Sequence, residues 1–183
     1  MLQIDGETML EVAHMGHAEE FFTLIDTDRN YLRQWLPWLD INLCLEHTQS
    51  FIATAQRQAA TNNGFQAIIR HRGQMVGVIG HHWVDWANGA TSIGYFLGER
   101  FQGQGLMTKA CRMLLDNSFK VLKLNRAEIR CAVENRKSRA IPEGLGFVNE
   151  GIKREAEWLY GHFVDHVVYS ILAREWDGVK GLN

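Results

Sequence analysis

The chain has 183 residues, 46% of them apolar and 22% charged, with a formal net charge of −2. That length and balance fit one well-buried domain, and the near-neutral charge excludes the blanket attraction of a basic protein for nucleic acid or anionic membrane. Cys44, Cys111 and Cys131 are odd in number and widely spaced, so they form no C-x-x-C metal or redox pair. The start, Met1 to Glu7, is polar and carries acids, unlike a signal peptide, and no apolar run approaches bilayer length. A reduced, cytoplasmic protein is the expectation.

In chain order, residues 15–60 read as helical, with Phe51, Ile52, Ala55 and Ala59 recurring on one helical face. Phe65 to Arg70 reads as a strand. Gly73-Gln74 turns it into a second strand over Met75 to Gly80, forming a hairpin. A further turn, Trp86-Ala87-Asn88-Gly89, carries an Asn-Gly pair and leads into the apolar run Ser92 to Gly98. From 106, Leu106, Ala110, Met113 and Leu114 follow helical spacing. Residues 126–133 alternate, with Ala127, Ile129, Cys131 and Val133 on one face and Glu128 and Arg130 on the other, which predicts a strand. A short helix is expected from Ser138 to Leu145, ending at Gly146. Two strands, at about 147–160 and 163–174, should close the chain around Gly161. With no repeat or Pro/Ser-rich linker to divide it, the chain is expected to form a single mixed α/β (α+β) domain around one sheet.

The stretch Arg100-Phe101-Gln102-Gly103-Gln104-Gly105-Leu106-Met107-Thr108 stands between a strand and a helix. The first N–H groups of a helix lack intrahelical partners and sit at the positive end of its dipole. Glycines at 103 and 105 remove the Cβ atoms that would keep a phosphate from those donors. No G-x-x-x-x-G-K-[ST] is present, and the third glycine of a dinucleotide fingerprint is missing.

This turn resembles the [RQ]-x-x-G-x-[GA] pyrophosphate motif of the GNAT superfamily of acetyl-CoA-dependent N-acetyltransferases, matched by Arg100, Gly103 and Gly105. A second stretch, Asn135 to Gly151, is similar to that family's N-x-x-S-x-x-x-x-x-x-G-F-x-x-E-G segment. Arg33-Gln34-Trp35-Leu36-Pro37-Trp38-Leu39-Asp40 and Asp165-His166-Val167-Val168-Tyr169-Ser170 are similar to segments of the branch that acetylates N-termini of ribosomal proteins. The resemblance therefore covers nearly the whole chain. It implies a single domain, 1–183, with a mostly antiparallel sheet splayed into a V and flanked by helices. Residues 1–90 would form the acceptor side, 91–147 the acetyl-CoA-binding core and 148–183 the closing strands.

The resemblance also implies roles for particular residues. Acetyl-CoA would be held by Arg100, Gln102, Gly103, Gln104, Gly105, Leu106, Met107 and Thr108. Backbone groups of Phe96, Leu97 and Gly98 would pair with its pantetheine arm like an added strand, and Asn135 and Ser138 would lie near pantetheine and the sulfur. Ser138 is the candidate to protonate the leaving thiolate, although Ser also favours a helix N-cap. Glu157 is the candidate base, with Glu155 as competitor, because alternation puts both on one strand face. Tyr160 and Tyr169 read as packing residues before they read as acids. Tyr31, Trp35 and Trp38 are the candidate acceptor wall, and aromatic residues at such spacing also suit a core.

No histidine pair has metal-ligand spacing, so no metal is expected. Adjacent His81 and His82 should point to opposite strand faces. Cys111 and Cys131 read as core thiols, which favours direct transfer over an acyl-enzyme. The leading acceptor is a protein N-terminal α-amine, as in a ribosomal protein, because such an amine is partly neutral near pH 7 and a lysine is not. A small amine (polyamine, antibiotic or amino acid) and a non-catalytic acyl-CoA-binding module are the alternatives. A homodimer is expected through an exposed sheet edge, and no direct nucleic-acid or membrane partner is expected.

Overall fold

The structure, a computed structural model, describes residues 1–176. Residues 177–183, the end of the expected closing segment, lie outside the described residues. Two N-terminal strands come first, β1 (Leu2–Gln3) and β2 (Thr8–Val12), then helices α1 (Ala18–Thr27), α2 (Arg29–Leu32) and α3 (Leu45–Ala60). Strands β3 (Gln66–His71), β4 (Gln74–Asp85) and β5 (Ala90–Leu97) form a meander. Helix α4 (Leu106–Asp116) crosses to β6 (Arg126–Ala132), and α5 (Arg136–Gly144) leads to the hairpin β7 (Val148–Leu159) and β8 (His162–Leu172). Helix α6 (Ala173–Trp176) follows.

All the strands join one sheet in the order β1-β2-β3-β4-β5-β6-β8-β7. The β5–β6 pair is parallel and the rest are antiparallel. Helices cover both faces, which is why β3 and β4 read as unbroken apolar runs rather than alternating ones. Ile69, Val76 and Ile79 pack with Leu106, Ala110 and Leu114 of α4. Their neighbours Ile68, Met75 and Val78 pack with Phe21, Leu24 and Ile25 of α1 and Ile52 of α3.

Several expectations change. The first two strands replace what the sequence left unassigned before residue 15. The helical stretch is broken between α2 and α3 by a loop that holds the Trp-Leu-Pro-Trp segment. Helix α5 begins at Arg136, because Asn135 is its N-cap and accepts a hydrogen bond from the Ser138 N–H at 3.1 Å. Ser138 therefore does not cap, and its hydroxyl is left for other work.

The feature that makes a site is the parting of β5 and β6. Their register runs from Ala90↔Arg126 to Ile93↔Ile129 and stops. Strand β5 continues to Leu97 on the β4 side, while β6 continues to Ala132 on the β8 side, where Ala132 faces His166. The sheet opens into a V along those unpaired ends.

Candidate active site

A cleft of ≈ 1140 Å³ occupies the V, walled by β5 and the α2 loop on one arm and by β6, α5 and the β7–β8 hairpin on the other. At one end lies the glycine turn. Gly103 and Gly105 both have φ of +71°, a left-handed conformation that glycine adopts without steric cost. A Cβ built at either would meet open space, so backbone conformation rather than crowding requires glycine here. Among the described residues, the N–H groups from Gly103 through Thr108 have no protein hydrogen-bond partner, and the first helical bond is Lys109 N–H to Gly105 C=O at 3.1 Å. This cradle of free donors at a helix N-terminus fits a pyrophosphate.

Gln102 ties the cradle to both arms. Its amide nitrogen donates to the Tyr31 hydroxyl at 2.6 Å, and its carbonyl accepts from Lys137 Nζ at 2.9 Å.

Gln102, Gly103, Gly105, Leu106, Met107, Thr108, Phe96, Leu97, Asn135, Ser138, Glu157, Tyr31, Trp35 and Trp38 all line the cleft. Gly98, Arg100 and Gln104 do not. Gly98 donates its N–H to Val76 C=O at 2.9 Å and accepts from Phe101 N–H at 3.0 Å, so neither backbone group is left for a ligand. Because backbone groups alternate sides along a strand, Phe96 also aims its backbone at β4. Leu97, together with Tyr95, aims its own at the gap. Of the three residues expected to pair with pantetheine, Leu97 is the one whose backbone faces the gap, and Phe96 lies among the residues lining the cleft. Gly98 instead lets β5 dock on α1 and α2, since a Cβ there would lie 2.7 Å from Asp28 Oδ2. Arg100 stacks its guanidinium 4.6 Å from the Phe101 ring centroid. Gln104 is exposed and donates to Arg100 C=O at 3.3 Å.

In mid-cleft the Ser138 hydroxyl lies 3.3 Å from Cys131 Sγ, and the Tyr95 hydroxyl donates to Ser138 C=O at 3.0 Å. Burial pushes both the Tyr95 hydroxyl and the Cys131 thiol up from their ordinary pKa values, so both stay protonated at neutral pH. Cys131 is a cleft-wall thiol as well as a core one. Cys111, wholly buried in the α4 core, is core alone.

At the other end of the cleft, Glu157 Oε2 lies 3.5 Å from His166 Nε2. The β7–β8 register slips between Lys153 and Glu157, and Glu155 sits in that irregularity at φ +47°. The slip breaks the alternation that put both glutamates on one face. Glu157 lines the cleft, while Glu155 is exposed and donates its N–H to Asp165 Oδ1 at 2.7 Å. Trp38 packs against Phe96 with ring centroids 5.8 Å apart. Tyr160 holds this wall in place through backbone bonds to Leu36 and Leu39. Tyr169 is a brace, bonded to Arg139 and Glu143 of α5. His82 lines the cleft, while its neighbour His81, expected on the opposite strand face, is fully buried away from it.

Residues 9–148 match the family described as Acetyltransferase (GNAT) domain. The chain belongs to the GNAT acetyltransferase family. It is an N-acetyltransferase with a single GNAT-fold domain. The Bacillus subtilis (strain 168) protein YdaF, whose name gives ribosomal N-acetyltransferase as a provisional assignment, is 38% identical over 164 residues, 89% of this chain and 90% of that protein. The Escherichia coli (strain K12) ribosomal-protein-serine acetyltransferase is 25% identical over 169 residues, 92% of this chain and 94% of its own. Among solved structures, RimL, a ribosomal L7/L12 alpha-N-protein acetyltransferase in complex with coenzyme A, superposes with TM-score 0.91 at 26% identity, covering 93% of this chain and 97% of that one. Microcin C7 self immunity acetyltransferase MccE, in complex with acetyl-CoA and AMP, gives 0.89 at 28% identity, covering 92% and 94%. Among the described residues no helix is long and apolar enough to cross a membrane.

Proposed function

We propose that this enzyme transfers acetyl from acetyl-CoA directly to the N-terminal α-amine of a protein, with a ribosomal protein as the leading acceptor. The observation that carries the reading is the cleft itself. It joins a cradle of partnerless amides at one end to a carboxylate and an aromatic wall at the other.

The amides of Gly103 to Thr108 hold the pyrophosphate, with Lys137 as the cation beside them. Leu97 and Tyr95 offer backbone groups to pantetheine, and an N–H there stabilises the oxyanion that develops at the thioester carbonyl. Acetyl-CoA supplies the activated acyl group. Glu157 takes a proton from the acceptor amine, and Ser138 gives one to the departing sulfur, its hydroxyl freed from capping by Asn135. Tyr31, Trp35 and Trp38 form the wall along which a peptide N-terminus enters. No metal takes part in this scheme.

The relatives named for ribosomal proteins support a peptide over a small amine, as does the cleft lining, where among the described residues Glu99 and Glu157 are the only carboxylates. The setting is the cytoplasm, without direct binding to nucleic acid or membrane. A homodimer would use the edge strand β7 and its hairpin partner, where Val148, Ile152, Trp158 and Phe163 are exposed.

Labelled acetyl-CoA and an extract depleted of its own acetyltransferases test the proposal. Label on the first residue of one protein is the expected result. Label only in small molecules would move the acceptor to a metabolite or drug amine. Label in neither, with acetyl-CoA still bound, would leave a binding module.

A further inference from the structure

His82 is placed in the cleft by two separate features of the chain. The first is a β-bulge. The β4–β5 register passes from His81↔Ile93 to Trp83↔Ser92, which leaves His82 as the extra residue on β4. Such a bulge re-aims a side chain, and bulges are enriched beside active sites. The second is Gly94. A Cβ built there would lie 2.1 Å from His82 Nε2, so only a glycine lets the imidazole lie across β5 with that nitrogen over the strand. The bulge interrupts the ladder between His81 and Trp83, while Gly94 stays in register opposite Gly80.

The ring is held at its other nitrogen, with Nδ1 3.4 Å from Ser92 Oγ. When Nδ1–H donates to that hydroxyl, Nε2 keeps its lone pair. The charged and titratable groups around it are Arg130 from β6, Glu157 from β7 and His166 from β8, with His81 adjacent on β4 itself. The cleft walls partly desolvate the ring, and this and then the positive charge of Arg130 lower the His82 pKa against an opposing pull from Glu157, while the residue itself remains exposed to solvent. The imidazole is therefore neutral, and able to accept, at physiological pH.

We infer that His82 is a second proton acceptor for the acceptor amine, acting beside Glu157. As the nitrogen–carbon bond forms, an N–H bond of the amine breaks toward Nε2. The electron pair stays on nitrogen to become that of the amide, and the imidazolium returns its proton to solvent through the cleft mouth. The C–S bond breaks with its pair on sulfur, which takes its proton from Ser138 as already described. An ammonium must lose two protons on the way to an amide, and two acceptors on opposite arms of the V divide that task. This inference rests on the reading that the amine binds at the Glu157 end.

The test is the pH dependence of kcat between pH 5 and 8.5, both substrates saturating, with a short peptide bearing a free N-terminal serine. For the wild type, kcat should rise through an inflection below 6.5. His82→Gln should lose that inflection and at least tenfold of kcat at pH 7, while keeping the acetyl-CoA Kd and the melting temperature. Gly94→Ala, which leaves the histidine present but evicts its ring, should reproduce both losses. The double variant should be no worse than either single one. A His82→Gln enzyme with kcat within twofold of wild type, or with reduced kcat and an unchanged inflection, overturns the inference. If His82→Gln does not fold, Gly94→Ala alone decides by the same two criteria. Failure of the underlying reading looks different: Glu157→Gln would then keep full activity, or the peptide would not be turned over, and a small amine would serve as acceptor for the same profiles.

Discussion

Tyr160, in the turn between β7 and β8, donates a 2.6 Å hydrogen bond to the carbonyl of Leu36, 124 residues earlier in the chain. The same hydroxyl accepts from Leu39 N–H at 3.1 Å, and the Arg33 guanidinium stacks 3.8 Å from the ring centroid. One side chain thereby fastens the Trp-Leu-Pro-Trp loop to the opposite arm of the V. Tyr160→Phe removes both bonds and keeps the ring, so it should cost about 1 kcal/mol of stability. The loop carries the aromatic wall, so KM for the acceptor should rise severalfold while the acetyl-CoA Kd holds. Thermal melts and steady-state kinetics check this, and an unchanged acceptor KM would separate the loop from acceptor binding.

Gly105→Glu puts a side chain at φ +71° and an anion beside the partnerless amides. The strain alone costs roughly 1–2 kcal/mol, and charge repulsion adds to it. Acetyl-CoA should bind at least tenfold more weakly, as read by calorimetry. Retained affinity in a folded Gly105→Glu protein would remove the turn from the coenzyme site.

Glu157→Gln should lower kcat by about 10² to 10⁴, the usual worth of a positioned acid or base, with acetyl-CoA affinity unchanged. Ser138→Ala should cost less, about tenfold in kcat, since solvent in an open cleft can also protonate a thiolate. Its backbone bonds to Asn135 and Tyr95 survive the change, so stability should barely move. Rapid-quench measurement of the chemical step distinguishes these losses from slow product release.

His81 gives the protein a pH-dependent stability. The Ser118 hydroxyl donates to Leu114 C=O, so it accepts from His81 Nε2–H at 3.0 Å, and His81 Nδ1 accepts from Phe65 N–H at 3.3 Å. A proton on Nδ1 would face that N–H. Burial accordingly lowers the His81 pKa to about 4. The unfolded chain binds the proton near 6.5, so between 6.5 and 4 it holds more protons than the folded one, and stability falls as pH falls. The loss should reach the order of 3 kcal/mol by pH 4. Urea denaturation at several pH values measures it, and His81→Gln should flatten this part of the slope.

Replacing Cys111 and Cys131 together with Ala should leave turnover intact, at a cost of about 1–2 kcal/mol for the buried volume. A folded but inactive double variant would instead indicate acyl transfer through a thiol. Intact-mass analysis after exposure to acetyl-CoA gives an independent answer.

The glycine turn was legible because strand, positive-φ glycines and helix N-terminus are consecutive in sequence. The site's core was legible through Asn135 and Ser138, though helix α5 starts earlier than expected because the cap is the asparagine. What the sequence concealed lies at bulges and long-range ties. Period-two alternation fails wherever an extra residue enters a strand. That is why Glu155 and Glu157 seemed to share a face, and why the cleft position of His82 could not be chosen in advance. Tyr160 gave no local sign of its role, since its partners come from the other end of the chain. Strand β2 went unseen because five residues, Thr8 to Val12, with a buried threonine at their head, carry too short an alternation to stand out.

Strands β5 and β6 separate after Ile93 and Ile129, leaving a stretch of sheet that the folded chain does not complete. A ligand lying there contributes only to the native state. At one hundred times its dissociation constant it would add about 2.7 kcal/mol to stability. Where digestion proceeds through transient opening, the opening population falls by the corresponding factor of about a hundred. An acyl donor seated between those strands would therefore slow the chain's own proteolysis as well as feed its reaction.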